Sequence, residues 1–290
     1  MEHQPAKPIE SVPGRPWWWQ WPTILALDAP AVAVAWQCML ARVAAVTLRP
    51  YHVVLLGISV WLAYAADRWI EGWRLSTETV RTQRHYFFLR WRWPSFAVWI
   101  IVLVVGIGLA LGSLTFREWS ASLGMLAATL LYVLSHQFLH RAQLWRVPKE
   151  ICVAVIIALG SALYPATLAT DKLHLLALST GLFMLLCLAN CLVISEWEHE
   201  VDLRHGQKSF AFQFSHARAF AEALPYGILA LSIGIACLSD GATRTAGWCG
   251  AVSAILLATL NLVQPKIGRE LAHLLADVVL LTPLLALAIV

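Results

Sequence analysis

The sequence predicts an all-α integral membrane protein in which nine transmembrane helices form a bundle. Hydrophobic residues make up 59% of the 290 positions and charged residues only 13%. A soluble single domain does not need that much apolar surface, whereas a polytopic helical membrane protein does. Apolar segments of about 20 residues, the length that crosses a bilayer core, recur along the chain.

Nine segments meet this length, and they set the domain boundaries. They are 22–41, 51–71, 94–114, 118–139, 148–170, 173–195, 217–239, 244–263 and 270–290. We therefore expect one membrane domain over 22–290 and a separate polar segment over 1–21. This segment lacks an apolar h-region followed by a small-residue cleavage site, so we expect the first span to stay as an anchor. Asp28 is expected near the start of that span, with a bend at Pro30 and no assigned chemistry.

The distribution of positive charge predicts the orientation. Sixteen of the 21 Lys and Arg residues lie on the side that holds the N-terminus and the links after the even-numbered spans. The positive-inside rule assigns this side to the cytoplasm, in the plasma (inner) membrane. The C-terminus is then expected on the outside, because nine is an odd number. The six cysteines all lie in apolar segments, which indicates packing and argues against a disulfide framework.

Two acidic clusters occupy matching places on the predicted cytoplasmic side. Asp67 and Glu71 close the second span, four residues apart and therefore on one helical face. The uncharged run before Asp67 is short for a full crossing, so we expect the helix to continue through Glu71. The second cluster follows the sixth span, and its spacing allows two pairs, Glu196 with Glu200 or Glu198 with Asp202.

Four helices separate the clusters, and an even number of crossings returns the chain to the same side. Carboxylates that converge there would repel one another unless a hard cation neutralises them, and Mg²⁺ suits carboxylate oxygens together with substrate phosphates. The simpler interpretation of either cluster alone is a solvated face beside neighbouring Arg residues. The links after the second, fourth and sixth spans supply Arg and Lys residues that would bind an organic diphosphate or anionic lipid headgroups.

These motifs resemble those of the UbiA superfamily of intramembrane prenyltransferases, which have nine transmembrane helices around a cavity open to the cytoplasm. Ala63 to Glu71 resembles the family's Asn-Asp-x-x-Asp-x-x-x-Asp, and Arg81-Thr82-Gln83-Arg84 resembles its Arg-Thr-x-x-Arg-Pro, one residue shorter. Glu198-x-x-x-Asp202 followed by Gly206-Gln207-Lys208-Ser209 resembles the second motif. This register selects Glu198 and Asp202. Arg146 to Glu150 resembles a further family segment.

The resemblance implies an enzyme that transfers an isoprenyl group from a prenyl diphosphate to an aromatic or lipid-like acceptor within the bilayer. Mg²⁺ would be held by the catalytic carboxylates Asp67, Glu71, Glu198 and Asp202. The substrate-binding residues would be Tyr64, Arg68, Arg81, Arg84, Tyr132, Lys149 and Lys208. Cations and metal would stabilise the charge that develops on the departing diphosphate, and the aromatic faces of Trp61, Tyr64 and Tyr132 would favour the allylic cation.

The chain also departs from the family pattern. Ala63 and Tyr64 replace the leading Asn and Asp, and neither can replace a carboxylate on a metal. The alternative is therefore a degenerate relative that binds a polyprenyl lipid or a partner without catalysis. A transporter ranks last, because transporters place ionisable groups near the midplane, whereas these acids gather at one surface. A nucleic-acid partner is not expected. His273, Asp277, Asn190 and Asn261 are interpreted as contacts between helices.

Overall fold

The computed structural model describes residues 16–74, 83–134, 148–169, 171–205 and 216–289. At 71–74, 83–85, 133–134, 199–205 and 289 it describes the backbone alone. Of the described residues 91% are helical and none forms a strand. The all-α class is thus confirmed for this part of the chain.

The described residues form twelve α-helices. In chain order they are α1 Trp21–Ile24, α2 Asp28–Ala44, α3 Pro50–Arg74, α4 Gln83–Arg90, α5 Arg92–Ser113, α6 Phe116–Leu134, α7 Lys149–Leu168, α8 Leu173–His205, α9 Ala217–Leu238, α10 Gly241–Ile267, α11 Arg269–Val278 and α12 Thr282–Ile289. Single 3₁₀ turns at Trp18–Gln20 and Val279–Leu281 precede α1 and join α11 to α12.

Seven stretches among the described residues are long and apolar enough to cross a membrane. An eighth crossing results if the bent pair Trp18–Ile24 and Asp28–Ala44 counts as one span. The lengths and composition indicate a multi-pass integral membrane protein, in agreement with the sequence. Helix α6 covers most of the fourth predicted segment but is not among these seven stretches, and the end of that segment lies outside the described residues. The count of nine therefore stays a prediction.

The first span bends before Asp28, so the bend expected at Pro30 was placed wrongly. The two helical pieces meet at 74°. Ala26 takes the left-handed conformation, with φ of 57°, and the Leu27 N–H donates to the Pro22 carbonyl oxygen at 2.8 Å. Pro30 falls in the first turn of α2, where a missing N–H breaks no helical hydrogen bond. The bend therefore comes from the tight turn and not from proline.

Helices α2 and α8 form the centre of the bundle. Helix α2 contacts α3, α7, α8, α10, α11 and α12, and α8 contacts α7, α9, α10 and α11 in addition. Trp36 of α2 stacks on Phe183 of α8 with ring centroids 4.6 Å apart, and its indole N–H donates to the Leu280 carbonyl oxygen at 2.9 Å. This fully buried aromatic pair fixes the central helices against the last span.

Helix α5, in contrast, lies at the periphery. Ile101, Val104 and Leu111 of α5 are each more than 60% exposed, and Gly106 alone in this helix is buried. A soluble protein rarely exposes an apolar surface of this extent. In a bilayer the same surface faces hydrocarbon at no cost, which agrees with the membrane class.

Candidate functional site

The first acidic cluster lies near the end of α3. This helix runs from Pro50 to Arg74, so the expected continuation through Glu71 is confirmed. The helical spacing puts Asp67 and Glu71 one turn apart. The Asp67 side chain is exposed, whereas the Glu71 side chain lies outside the described part of the structure. Asp67 is therefore positioned at an accessible end of the bundle, which we call the motif end.

The second acidic cluster continues the same helix as the sixth predicted span. Helix α8 extends to His205, so the acids from Glu196 to Asp202 are helical and alternate between two faces. The Glu198 Oε1 atom lies 3.5 Å from His273 Nε2 of α11. Glu196 instead interacts with Arg218 of α9, an exposed residue. Glu198 thus turns toward α11 and Glu196 toward α9, and the choice between the two predicted pairs stays a prediction.

Asp67 belongs to a group of polar side chains from several helices, which we call the Tyr132 cluster. The Tyr132 hydroxyl of α6 interacts electrostatically with Asp67 of α3, Glu150 of α7 and Cys191 of α8. Cys191 in turn interacts with Lys149 and Glu150. Two predicted substrate-binding residues, Tyr132 and Lys149, therefore lie in the same neighbourhood as the predicted ligand Asp67.

Arg68 and Tyr64 point toward a different group. The Arg68 guanidinium is buried, donates to the Thr23 carbonyl oxygen and lies 4.0 Å from Asp28 Oδ2. Tyr64 packs against the central core and interacts electrostatically with Asp28 and Asp277. Both residues were predicted to bind substrate. Their described contacts are with α1, α2, α8 and α11, so they brace the motif end from within.

Trp61, the third aromatic residue expected to face an allylic cation, also contacts the bend of the first span. Its indole N–H donates to the Leu25 carbonyl oxygen at 2.9 Å. This contact satisfies a carbonyl group that the turn between α1 and α2 leaves outside any helix. Trp61 therefore stabilises the bend, whatever its further role.

Several predicted residues cannot be placed with their neighbours. The side chains of Glu71, Arg81, Arg84, Asp202 and Lys208 lie outside the described part of the structure. An approach of Asp67 to Asp202 within about 10 Å, as a bridging hydrated metal would require, also stays a prediction.

The interpretation of Asn190 and Asp277 as contacts between helices is confirmed, whereas the sequence assigned no role to Asp28, which lies beside them at the motif end. Asn190 of α8 donates from Nδ2 to Asp277 Oδ1 of α11 at 2.9 Å. The Asp277 carboxyl group is in hydrogen-bonding contact with that of Asp28 at the start of α2. The signal that could have found them is the presence of a carboxyl group in each of two apolar segments, because such a group requires a partner.

Two of the four predicted magnesium ligands have described side chains. Among the described residues, no three His, Cys, Asp or Glu side chains are placed to hold a metal ion together. Asp67 and Glu198 are the two predicted ligands with described side chains, and both present oxygen donors. Mg²⁺ is commonly bound through one or two carboxylates while phosphates and water complete its shell. The donor chemistry therefore fits a magnesium–diphosphate complex better than a metal held by protein alone.

Comparison with known proteins adds no relative. No protein-family model, curated protein or solved structure matches the chain.

Proposed function

We propose that this chain is a Mg²⁺-dependent intramembrane prenyltransferase, which moves an isoprenyl group from a prenyl diphosphate to an aromatic or lipid-like acceptor. The observation that carries the proposal is the Tyr132 cluster. Tyr132 of α6 interacts electrostatically with Asp67 of α3, and both Tyr132 and Lys149 of α7 interact with Cys191 of α8. A carboxylate, an aromatic ring and an ammonium group are what a magnesium-bound prenyl diphosphate needs around it.

The roles follow from the chemistry of each group. Asp67 and Glu198, with Glu71 and Asp202 one turn further along their helices, would hold Mg²⁺, which neutralises the charge that develops on the leaving diphosphate. Lys149, with Arg81, Arg84 and Lys208 from the connecting segments, would bind the diphosphate oxygens. The Tyr132 ring would face the allylic carbon, where a π-face favours a cation over water.

The proposal includes the arrangement in the membrane. Nine helices would surround a cavity that opens at the motif end, and this end would face the cytoplasm, where the N-terminus and the Lys- and Arg-rich links lie. The isoprenyl tail would leave sideways between helices into hydrocarbon. The exposed apolar surface of α5 supports a lateral wall that a lipid tail can cross.

A second candidate function is binding of a polyprenyl lipid or a partner without catalysis. One observation favours it: the Arg68 guanidinium, at a motif position, is buried and donates to the Thr23 carbonyl oxygen. Ala63, at the position of the family's Asn, is exposed and offers no ligand. A site with fewer metal ligands would still bind a prenyl diphosphate while cleaving it slowly.

One assay separates the two functions. Purified protein receives labelled farnesyl, geranylgeranyl or longer diphosphates, Mg²⁺ and a panel of aromatic or lipid acceptors. The enzyme releases diphosphate, and Asp202→Asn abolishes the release while Asp240→Asn, a surface carboxylate paired with Arg244, leaves it unchanged. If no donor is cleaved, the catalytic proposal is wrong. Mg²⁺-dependent donor binding without cleavage would then favour the binding function.

A further inference from the structure

We propose that Asp28 and Asp277 form an intramembrane proton-binding site, in which the two carboxyl groups hold one proton between them. The site lies where the start of α2 meets α11, beside Asn190 of α8. It adjoins the Tyr132 cluster through Cys191, and it does not depend on prenyl transfer.

The contact between the two carboxyl groups requires a hydrogen that only a proton can supply. Asp28 and Asp277 are in hydrogen-bonding contact. Two ionised carboxylates can only accept, so neither donates to the other. The Asp28 Oδ2 atom is buried and has no hydrogen-bond donor among the described residues. A proton on either carboxyl group converts this repulsive contact into an O–H···O⁻ hydrogen bond, which is short and strong.

The buried amide beside the pair fixes the position of Asp277. Asn190 is 6% exposed and donates from Nδ2 to Asp277 Oδ1 at 2.9 Å. Its own Oδ1 atom is buried without a described donor. The shared hydrogen lies between the two carboxyl groups, so the Asn190 N–H is the contact by which α8 supports the site.

The charge balance sets the number of protons at one. The charged groups that act on Asp277 are Asp28 of α2 and Arg68 of α3. Arg68 lies 4.0 Å from Asp28 Oδ2, and its guanidinium is permanently charged. Two carboxylates and one guanidinium carry a net charge of −1 in a low-dielectric bundle. One proton brings the group to neutrality, and a second would leave Arg68 uncompensated.

The neighbouring titratable groups do not remove this charge. Helix α3 contributes the Tyr64 hydroxyl, and α8 contributes the thiols of Cys187 and Cys191, all of which are neutral in their protonated forms. On α11 itself, His273 lies one turn before Asp277 and faces Glu198. Asp277 is partly exposed whereas Asp28 is buried. The proton therefore enters and leaves through Asp277.

Infrared spectroscopy of the full-length protein in lipid nanodiscs tests the proposal directly. A protonated carboxyl group has a C=O stretching band that is separate from the carboxylate bands and shifts in ²H₂O. We expect this band in the wild-type protein and expect its amplitude to change across a pH titration. A wild-type spectrum without a titrating band contradicts the proposal.

Variants assign the band to the pair. Asp28→Asn and Asp277→Asn each leave one carboxylate opposite Arg68, which is neutral without a proton, so the band is lost in both. Asp240→Asn removes a surface carboxylate and leaves the band in place. A band that survives both single substitutions belongs elsewhere and overturns the site. If either substitution prevents folding, Asn190→Leu provides the test, because loss of the donor to Asp277 shifts the band. The control Asn261→Leu removes an acceptor of Trp197 and leaves the band unshifted. An unshifted band in Asn190→Leu overturns the assignment.

Discussion

Two buried ionic groups lie at opposite ends of α3, and they differ in how completely their hydrogen bonds are satisfied. His52 and Arg68 are sixteen residues apart on this helix, or about 24 Å at 1.5 Å per residue. His52 pairs with Glu118 of α6, at the end opposite the motif end. Arg68 lies beside Asp28 and Asp277 at the motif end.

At the opposite end every hydrogen-bonding atom of the pair has a partner. The His52 Nε2 atom lies 2.7 Å from Glu118 Oε1, while the Glu118 Oε2 atom accepts from the backbone N–H and hydroxyl of Thr115 at 2.7 and 2.8 Å. The His52 Nδ1 atom accepts from the Arg49 N–H, so Nε2 carries the hydrogen and donates to Glu118. This pair closes the start of α6 and ties it to α3.

At the motif end the corresponding atoms are left without donors. The Asp28 Oδ2 and Asn190 Oδ1 atoms are buried and unsatisfied among the described residues. A satisfied ionic pair can be explained by structure alone. An unsatisfied one needs water, a proton, an ion or a ligand, which is why we assign function to the motif end and structure to the opposite end.

The largest expected effect on stability comes from breaking the His52–Glu118 pair. Glu118→Ala leaves the buried His52 N–H without an acceptor, so we expect the free energy of unfolding to fall by about 3 kcal/mol. The measurement is unfolding in mixed micelles, with Asp240→Ala as the exposed control. A Glu118→Ala loss as small as that of the control would show that the pair contributes nothing to the fold.

The next effect concerns activity and not stability. Asp67 is exposed and lies beside Tyr132, so Asp67→Asn should leave the unfolding free energy close to that of the wild type. We expect diphosphate release to fall about 100-fold, because a lost metal ligand raises the barrier by about 3 kcal/mol. Release at the wild-type rate would exclude Asp67 from the reaction.

Replacing either aspartate of the Asp28–Asp277 pair with asparagine should cost little stability. Asp28→Asn and Asp277→Asn replace the shared proton with an amide donor, so each should change the unfolding free energy by about 1 kcal/mol or less. Mixed-micelle unfolding measures this alongside Glu118→Ala. A loss as large as that of Glu118→Ala would mean that the two ends are equivalent structural pairs.

The smallest expected effect comes from removing the Tyr164 hydroxyl, which lies at the opposite end. The Tyr164 ring stacks on His52 with centroids 4.6 Å apart, and its hydroxyl lies 3.3 Å from Ser122 Oγ. Tyr164→Phe keeps the ring, so we expect a loss of about 0.5 kcal/mol. A larger loss would show that the hydroxyl supports the His52–Glu118 pair.

The sequence predicted the helices and the two acidic faces because both depend on local patterns. Apolar length locates the spans, and a spacing of four residues puts Asp67 beside Glu71 on α3. The family motif also selected the face of Glu198, which the structure turns toward His273. These features need no knowledge of how the helices pack.

The remaining features depend on packing between distant positions, which local patterns do not encode. Asp28 and Asp277 are separated by almost the whole chain, and His52 meets Glu118 across 66 residues. The bend at Ala26 arises from a left-handed residue that is not glycine, so it carries no sequence signal. Arg68 could be recognised as a motif residue, but its contact with the first span could not.

Binding of farnesyl diphosphate to the full-length protein in nanodiscs tests the central claim, that the motif end is a magnesium–diphosphate site, most directly. We predict binding that requires Mg²⁺, is at least about tenfold weaker in Asp67→Asn and is unchanged in Glu222→Gln, a carboxylate paired with Arg218 on the surface. Absence of binding, or binding that neither Mg²⁺ nor Asp67→Asn alters, would contradict it.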